Sequence, residues 1–141
     1  MAKINEFTYG KMIGAESRKF GLPYMDWRRG FMNCPGIILI YESERKRPGM
    51  RFIYFYVNTG RSLLEDENSI AFQPAYFHTS LGNLSKTRNN IIVDTDNSRY
   101  IFEEGDFGLC ESDKEFLMFC AGLRKKPERN KNEQGTEGRS S

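Results

Sequence analysis

Two apolar runs, "GIILIYES" at 36–43 and "RFIYFYV" at 51–57, constrain this chain more than any other feature. Both are dense in β-branched and aromatic residues, and "ERKRPGM" between them carries Pro48-Gly49, a turn signal. They predict an antiparallel hairpin with a long basic loop. Side chains on a strand alternate between its faces. With a loop over 44–50, Arg51 faces Ser43, and Val57, Phe55 and Ile53 lie beside Ile37, Leu39 and Tyr41 in that order. Tyr56, Tyr54 and Phe52 then lie beside Ile38, Ile40 and Glu42, in that order, on the other face. A strand pair apolar on both faces is normally covered on both. A helix or loop of this chain, a second subunit or a ligand would supply the second cover.

The rest of the chain adds elements around that hairpin. Met12, Ile13, Ala15 and Phe20 share a helical face, weakened by Gly10 and Gly14, and Gly21-Leu22-Pro23 is a stop, so a short helix is expected near 10–20. "SIAFQ" and "AYFHTS" within 69–80 read as weaker strands separated by Pro74, which suggests an edge or a bulge. "NIIVDTDNSRYIFEE" reads as a second hairpin. Asp96-Asn97 forms its tight turn, Ile91, Val93 and Thr95 share one side, and Tyr100 and Phe102 return along it. Ser112 and Glu115 fit a capping box that starts a last helix. Phe116, Phe119, Cys120 and Leu123 are its apolar stripe, Arg124, Lys125 and Lys126 complement its end, and Pro127 stops it. The expected fold is α+β: a curved, mostly antiparallel sheet of four to six strands with an N-terminal and a C-terminal helix packed on it.

At 141 residues the chain is the size of one domain. Its last stretch, "PERNKNEQGTEGRSS" at 127–141, has no apolar side chain beyond Pro127 and cannot offset the entropy of ordering. A single domain over 1–126 with a disordered polar tail over 127–141 is expected. The tail balances Glu128, Glu133 and Glu137 against Arg129, Lys131 and Arg139, so it is a poor nucleic-acid arm. A net charge of +2 also falls short of the basic excess usual in nucleic-acid binders. Acids concentrate at 103–115, whereas bases gather at Arg45–Arg47, at Lys86 and Arg88, and at Arg124–Lys126. "MAKINEF" turns polar at once without the apolar core of a signal peptide, and three cysteines are an odd set, which together point to reduced thiols in the cytoplasm. No apolar run approaches the ~18 residues of a membrane span, so no membrane partner is expected.

The aromatic strand resembles one known signature. The RNA-recognition-motif family carries K/R-G-F/Y-G/A-F-V-x-F/Y on a strand whose rings stack bases. "PGMRFIYF" matches it at Gly49, Phe52, Ile53 and Phe55 and departs at Pro48, Met50 and Arg51. The element order departs too, because a second hairpin follows where that family has a helix and a final strand.

Chemistry is sparsely marked. His78, in "FHTSLG", is the single histidine and the one weak catalytic candidate, with Glu103 or Glu104 as a base and Arg99 or Arg88 as a phosphate clamp. The two-histidine phosphoesterases need two H-x-T/S motifs, and "HTS" occurs once. No G-x-S-x-G elbow and no glycine-rich phosphate loop is present. Cys34, Cys110, Cys120 and His78 lack metal-ligand spacing, and Cys110 and Cys120 read better as small buried hydrophobes. Asp94, Asp96, Glu103, Glu104 and Asp106 could gather around a hard cation, but Asp96 is needed in the turn. No metal and no cofactor is expected.

A "TS" strand followed by T-x-N-S-x-Y-x-F (Thr79, Ser80, then Thr95, Asn97, Ser98, Tyr100 and Phe102) resembles small uncharacterised proteins of phages and mobile elements. That resemblance implies an accessory role without chemistry. The leading expectation is a non-enzymatic accessory or inhibitor protein that captures a protein partner through Phe52, Tyr54 and Tyr56 with Arg45 and Arg47. A homo-oligomer is the other occupant of that surface. A nucleotide or nucleic-acid binder using the same rings is the alternative, and a hydrolase or nuclease centred on His78 is the third.

Overall fold

The computed structural model describes residues 2–43, 49–57 and 75–123. Its elements are β1 (Ala2–Ser17), a 3-10 turn (Trp27–Phe31), β2 (Pro35–Ser43), β3 (Arg51–Val57), β4 (Ala75–His78), β5 (Gly82–Lys86), β6 (Asn90–Thr95), β7 (Ser98–Glu104) and α1 (Glu111–Cys120). The seven strands form one antiparallel sheet in the order β2-β1-β7-β6-β5-β3-β4. A further β2–β3 pairing joins the two ends. Six strands therefore close into a barrel, with β4 laid on β3 beside the closure. Closure gives every barrel strand two neighbours and removes unpaired edges. Among the described residues no helix is long and apolar enough to cross a membrane.

This architecture corrects the expected one. The sheet has seven strands, not four to six, and there is no N-terminal helix among the described residues: 10–17 is the second half of the long strand β1. The helical spacing there has a local cause. Met12 pairs with Phe102, but Gly14 pairs with Ile101, so Ile13 is an extra residue in a β-bulge. Met12 and Ala15 consequently both point into the barrel, three residues apart, and imitate a helical face. A second strand, Gly82–Lys86, also goes beyond the expectation. The expected strand at 69–73 and Pro74 lie outside the described residues, as do Arg45–Pro48, Arg124–Lys126 and the tail at 127–141; "AYFH" is β4.

β4 and β5 act as one bent strand. His78 pairs with Tyr54 and Gly82 with Arg51, so the β4–β5 side advances four residues while β3 advances three. Thr79 repairs the mismatch. Its backbone N–H donates to the Ile53 carbonyl at 2.9 Å. Its Oγ1 accepts the Ile53 N–H at 3.1 Å and donates to the Ser80 carbonyl at 2.9 Å. A buried backbone donor left without a ladder partner thus finds a side chain.

The barrel interior holds Met12, Ile38, Ile40, Ile53, Phe55, Val57, Phe77, Ile91, Val93, Tyr100 and Phe102. Ile53, Phe55 and Val57 share this face as expected. Their partners differ: β2 pairs Glu42 with Arg51, one residue away from the expected register, which brings Ile38 and Ile40 inside. Gly36 sits opposite Val57, where an added Cβ would lie 2.0 Å from the Tyr56 carbonyl oxygen. The second hairpin is as expected in register and facing, with Ile91, Val93, Thr95, Tyr100 and Phe102 buried. Its turn is not of the left-handed kind, since neither Asp96 nor Asn97 has positive φ.

One mouth of the barrel is stoppered by the 3-10 turn. Trp27 and Phe31 meet the Phe77 ring at 5.3 and 4.9 Å between centroids. Arg28 Nε donates to the Tyr100 hydroxyl at 2.9 Å, its guanidinium stacks 3.8 Å from the Tyr24 ring, and Asp26 neutralises it.

Outside the barrel, α1 lies over β2 and β3. Leu117 and Leu109 bury Ile37 and Leu39, so β2 is apolar and covered on both faces. The helix begins two residues before the expected cap. Cys110 is its N-cap, and the Asp113 carboxylate accepts the Cys110 N–H at 3.2 Å. Its fully buried residue is Leu117, which lies off the expected Phe116–Phe119–Cys120–Leu123 stripe; of that stripe Leu123 packs against the same cluster, whereas Phe119 is exposed. It ends at Gly122 rather than Pro127. Gly122 takes φ +81°, with Leu123 N–H on the Met118 carbonyl at 2.9 Å and Gly122 N–H on the Phe119 carbonyl at 3.0 Å. That is a Schellman ending, for which glycine is the least strained residue.

Candidate binding surface

Because Phe55 and its neighbours fill the barrel, alternation sends Phe52, Tyr54 and Tyr56 to the outside. The register adds Tyr41 of β2 opposite Phe52, and β4 adds Tyr76 opposite Tyr56 and His78 opposite Tyr54. These six side chains meet one another across three strands. Tyr41 and Phe52 stack at 5.2 Å with planes 10° apart. Tyr56 and Tyr76 lie at 4.9 Å and 16°, and Tyr54 and His78 at 4.9 Å and 24°. Tyr54 also approaches Tyr41 at 5.3 Å and Tyr76 at 6.2 Å. The rings are one contiguous ladder of cross-strand pairs.

The helix α1 answers what covers part of this face. Tyr41, Tyr54 and Tyr56 pack against the cluster of Ile37, Leu39, Leu109 and Leu117 and are half-buried. Burial raises the Tyr56 phenol above its ordinary range, with Tyr41, Tyr76, Tyr54 and Cys120 adding to the shift. Burial raises Tyr41 as well, helped by Tyr54. Both hydroxyls stay neutral donors at physiological pH. On the β4 side the ladder opens to water: Tyr76 is 54% exposed and His78 is exposed. Arg45 and Arg47, expected beside these rings, lie outside the described residues.

Sequence reasoning missed Tyr41 and Tyr76. The signal was available as period-two spacing: Tyr76 and His78 flank inward Phe77 in "AYFH". It also missed the exposed apolar side chains between β1 and the 3-10 turn, which composition alone does not distinguish from core.

The candidate chemical groups are not brought together. His78 stands on β4, its Nδ1 3.1 Å from the Thr79 carbonyl oxygen, while Glu103 and Glu104 are on β7, between β1 and β6. Cys110 is exposed at the start of α1 rather than buried, Cys120 is part-buried at the other end of that helix, and Cys34 is part-buried just before β2. Among the described residues no three His, Cys, Asp or Glu side chains converge as a cation site.

Asp94 has a different partner. Arg99 grips it from the neighbouring strand, Nε on Oδ1 at 2.7 Å and Nη2 on Oδ2 at 3.0 Å. That hydrogen-bonded grip holds the Asp94 carboxyl below its ordinary range, against a smaller opposing effect of burial. A depressed folded value stabilises the fold above the unfolded one, and this is lost as pH falls through the folded value. In Arg99→Ala, the Asp94 midpoint followed by NMR is expected to rise toward the ordinary carboxylate range. An unmoved midpoint would mean that the pair does not form in solution.

No family model matches the chain, and comparison with curated proteins and with solved structures finds no match.

Proposed function

We propose that this chain is a non-enzymatic binding protein, an accessory or inhibitor that captures a protein partner through the outer face of β2, β3 and β4. One observation carries this reading. The barrel already has a complete aromatic and aliphatic interior, yet a second contiguous ladder of rings lies outside it and is only partly covered by α1. Tyrosine supplies large contact area at low rotamer cost and keeps a wet hydroxyl, which suits a surface that is bare in one state and covered in another. The three thiols, none joined to another, fit a reducing compartment and hence the cytoplasm.

Tyr76 is the ring to test, because it lies on the open side of the ladder. In affinity capture from the native host, Tyr76→Ala is expected to weaken retention of the captured protein by about 30-fold, the effect of losing a hot spot worth about 2 kcal/mol. Its thermal midpoint is expected to stay near that of the parent. Capture that is indifferent to Tyr76→Ala and Phe52→Ala would remove the outer face as the docking surface. Retention of single-stranded nucleic acid that falls steeply with salt would transfer the same rings to the alternative reading.

A further inference from the structure

The connection between β1 and the 3-10 turn turns large apolar side chains toward water. Phe20, Leu22, Met25 and Trp27 are 69, 63, 73 and 54% exposed. Single exposed hydrophobes are ordinary, but four within eight consecutive residues are a concentration that interaction sites show.

The loop is built, not loosely draped. Ser17 N–H donates to the Leu22 carbonyl at 2.9 Å and Gly21 N–H to the Ser17 carbonyl at 2.7 Å. Arg18 N–H reaches the Asn97 carbonyl and Tyr24 N–H the Ala15 carbonyl, each at 2.9 Å. Trp27 is braced at its edge by Phe31 at 6.0 Å and Phe77 at 5.3 Å. The backbone is thus tied to the barrel while the apolar side chains project from it. The loop's tip faces open space: a Cβ added at Gly21 would meet nothing within 4 Å.

Cations accompany those side chains. Residues 17–29 contain Arg18, Lys19, Arg28 and Arg29 against Asp26, and Asp26 is taken by Arg28. Lys19 Nζ lies 5.5 Å from the Phe20 ring centroid, and Arg29 Nη1 lies 3.4 Å from the Met25 sulfur. Glu16 and Asp96 border the loop and still leave it a positive balance.

We propose that this loop is a surface anchor for an anionic lipid bilayer. Phe20, Leu22, Met25 and Trp27 enter the headgroup–acyl boundary, and Lys19 and Arg29 rest on the lipid phosphates. A projecting apolar loop needs a cover that deforms around it, which a bilayer does. The mixture of tryptophan, phenylalanine and aliphatic side chains rimmed by lysine and arginine is what the boundary selects. The expectation of no membrane partner came from the lack of a spanning run; a surface anchor needs none. This site is independent of the outer aromatic face.

Trp27 is the chain's single tryptophan, so its emission reports directly on the loop. The full chain is mixed with vesicles of phosphatidylcholine alone, or of phosphatidylcholine with phosphatidylglycerol. A blue-shifted emission and co-sedimentation are expected with the mixed vesicles, with binding to neutral vesicles about tenfold weaker or less. Leu22→Ser/Met25→Ser, which keeps Trp27 in place, is expected to abolish both signals. Lys19→Glu/Arg29→Glu is expected to erase the preference for anionic lipid. Both variants are expected to keep the parent's thermal midpoint. Unshifted emission with both vesicles, or binding that survives Leu22→Ser/Met25→Ser, overturns the proposal. A blue shift that grows with protein concentration in the absence of lipid also overturns it, and assigns the loop to a second copy of the chain.

Discussion

Phe55→Ala is expected to cost about 3–5 kcal/mol of folding stability. The ring is fully buried and stands at the centre of the barrel. It touches Phe102 of β7 at 5.2 Å, Phe77 of β4 at 6.2 Å and Phe31 of the 3-10 turn at 6.5 Å. Those contacts join opposite walls and the stopper, so neighbours cannot collapse into the vacancy without moving strands that are hydrogen-bonded on both sides. Against a total stability of about 5–15 kcal/mol, the loss is about a fifth or more. Phe52→Ala is the control: the same residue type on the same strand, facing outward and half-buried. Its cost is expected near 1 kcal/mol, the scale of an outer ring pair. Urea unfolding of both variants measures the difference. Equal losses would mean that the inward and outward rings of β3 are misassigned.

That contrast was legible before any coordinates, because the alternation in "RFIYFYV" separates the rings whatever the register. So was the second hairpin, whose inward residues run from Ile91 to Phe102 with a two-residue connection. What was not legible has physical causes. The bulge at Ile13 shifts the inward side of β1 by one residue, and Met12 and Ala15 then carry a helix-like spacing. Gly82–Lys86 offers one apolar side chain, Leu84, and is a strand because β6 pairs with it. Barrel closure depends on β1 meeting β7, with Lys11 opposite Glu103, a contact between segments far apart in the chain that no local propensity encodes. The candidate surface was half legible: Phe52, Tyr54 and Tyr56 do lie together outside the barrel, but their partners Tyr41, Tyr76 and His78 depended on register and on β4. The start of α1 is two residues earlier than Ser112 and Glu115 indicate, because the helix is capped by Cys110 and Asp113, which the usual S/T-x-x-E/Q pattern does not mark.

Leu117→Ala is expected to cost about 2–5 kcal/mol, as for a fully buried leucine in a site that cannot close. Leu117 is the one fully buried residue of α1 and fills the space above Ile37 and Leu39. It also sets how much of the aromatic ladder belongs to the fold. Tyr54 and Tyr56 pack against the same cluster, so a Leu117→Ala/Tyr54→Ala double mutant is expected to lose less than the two singles combined, by about 0.5–3 kcal/mol. Tyr76, on the open side of the ladder, is expected to be additive with Leu117→Ala. Such a division makes Tyr54 chiefly a mount, held by the helix, and places the free contact area at Tyr76, His78 and Phe52. Additivity at Tyr54 would instead detach it from the helix and return it in full to the proposed docking surface. A Leu117→Ala loss below about 1 kcal/mol would mean that α1 does not seal β2, since a buried leucine cannot be removed that cheaply.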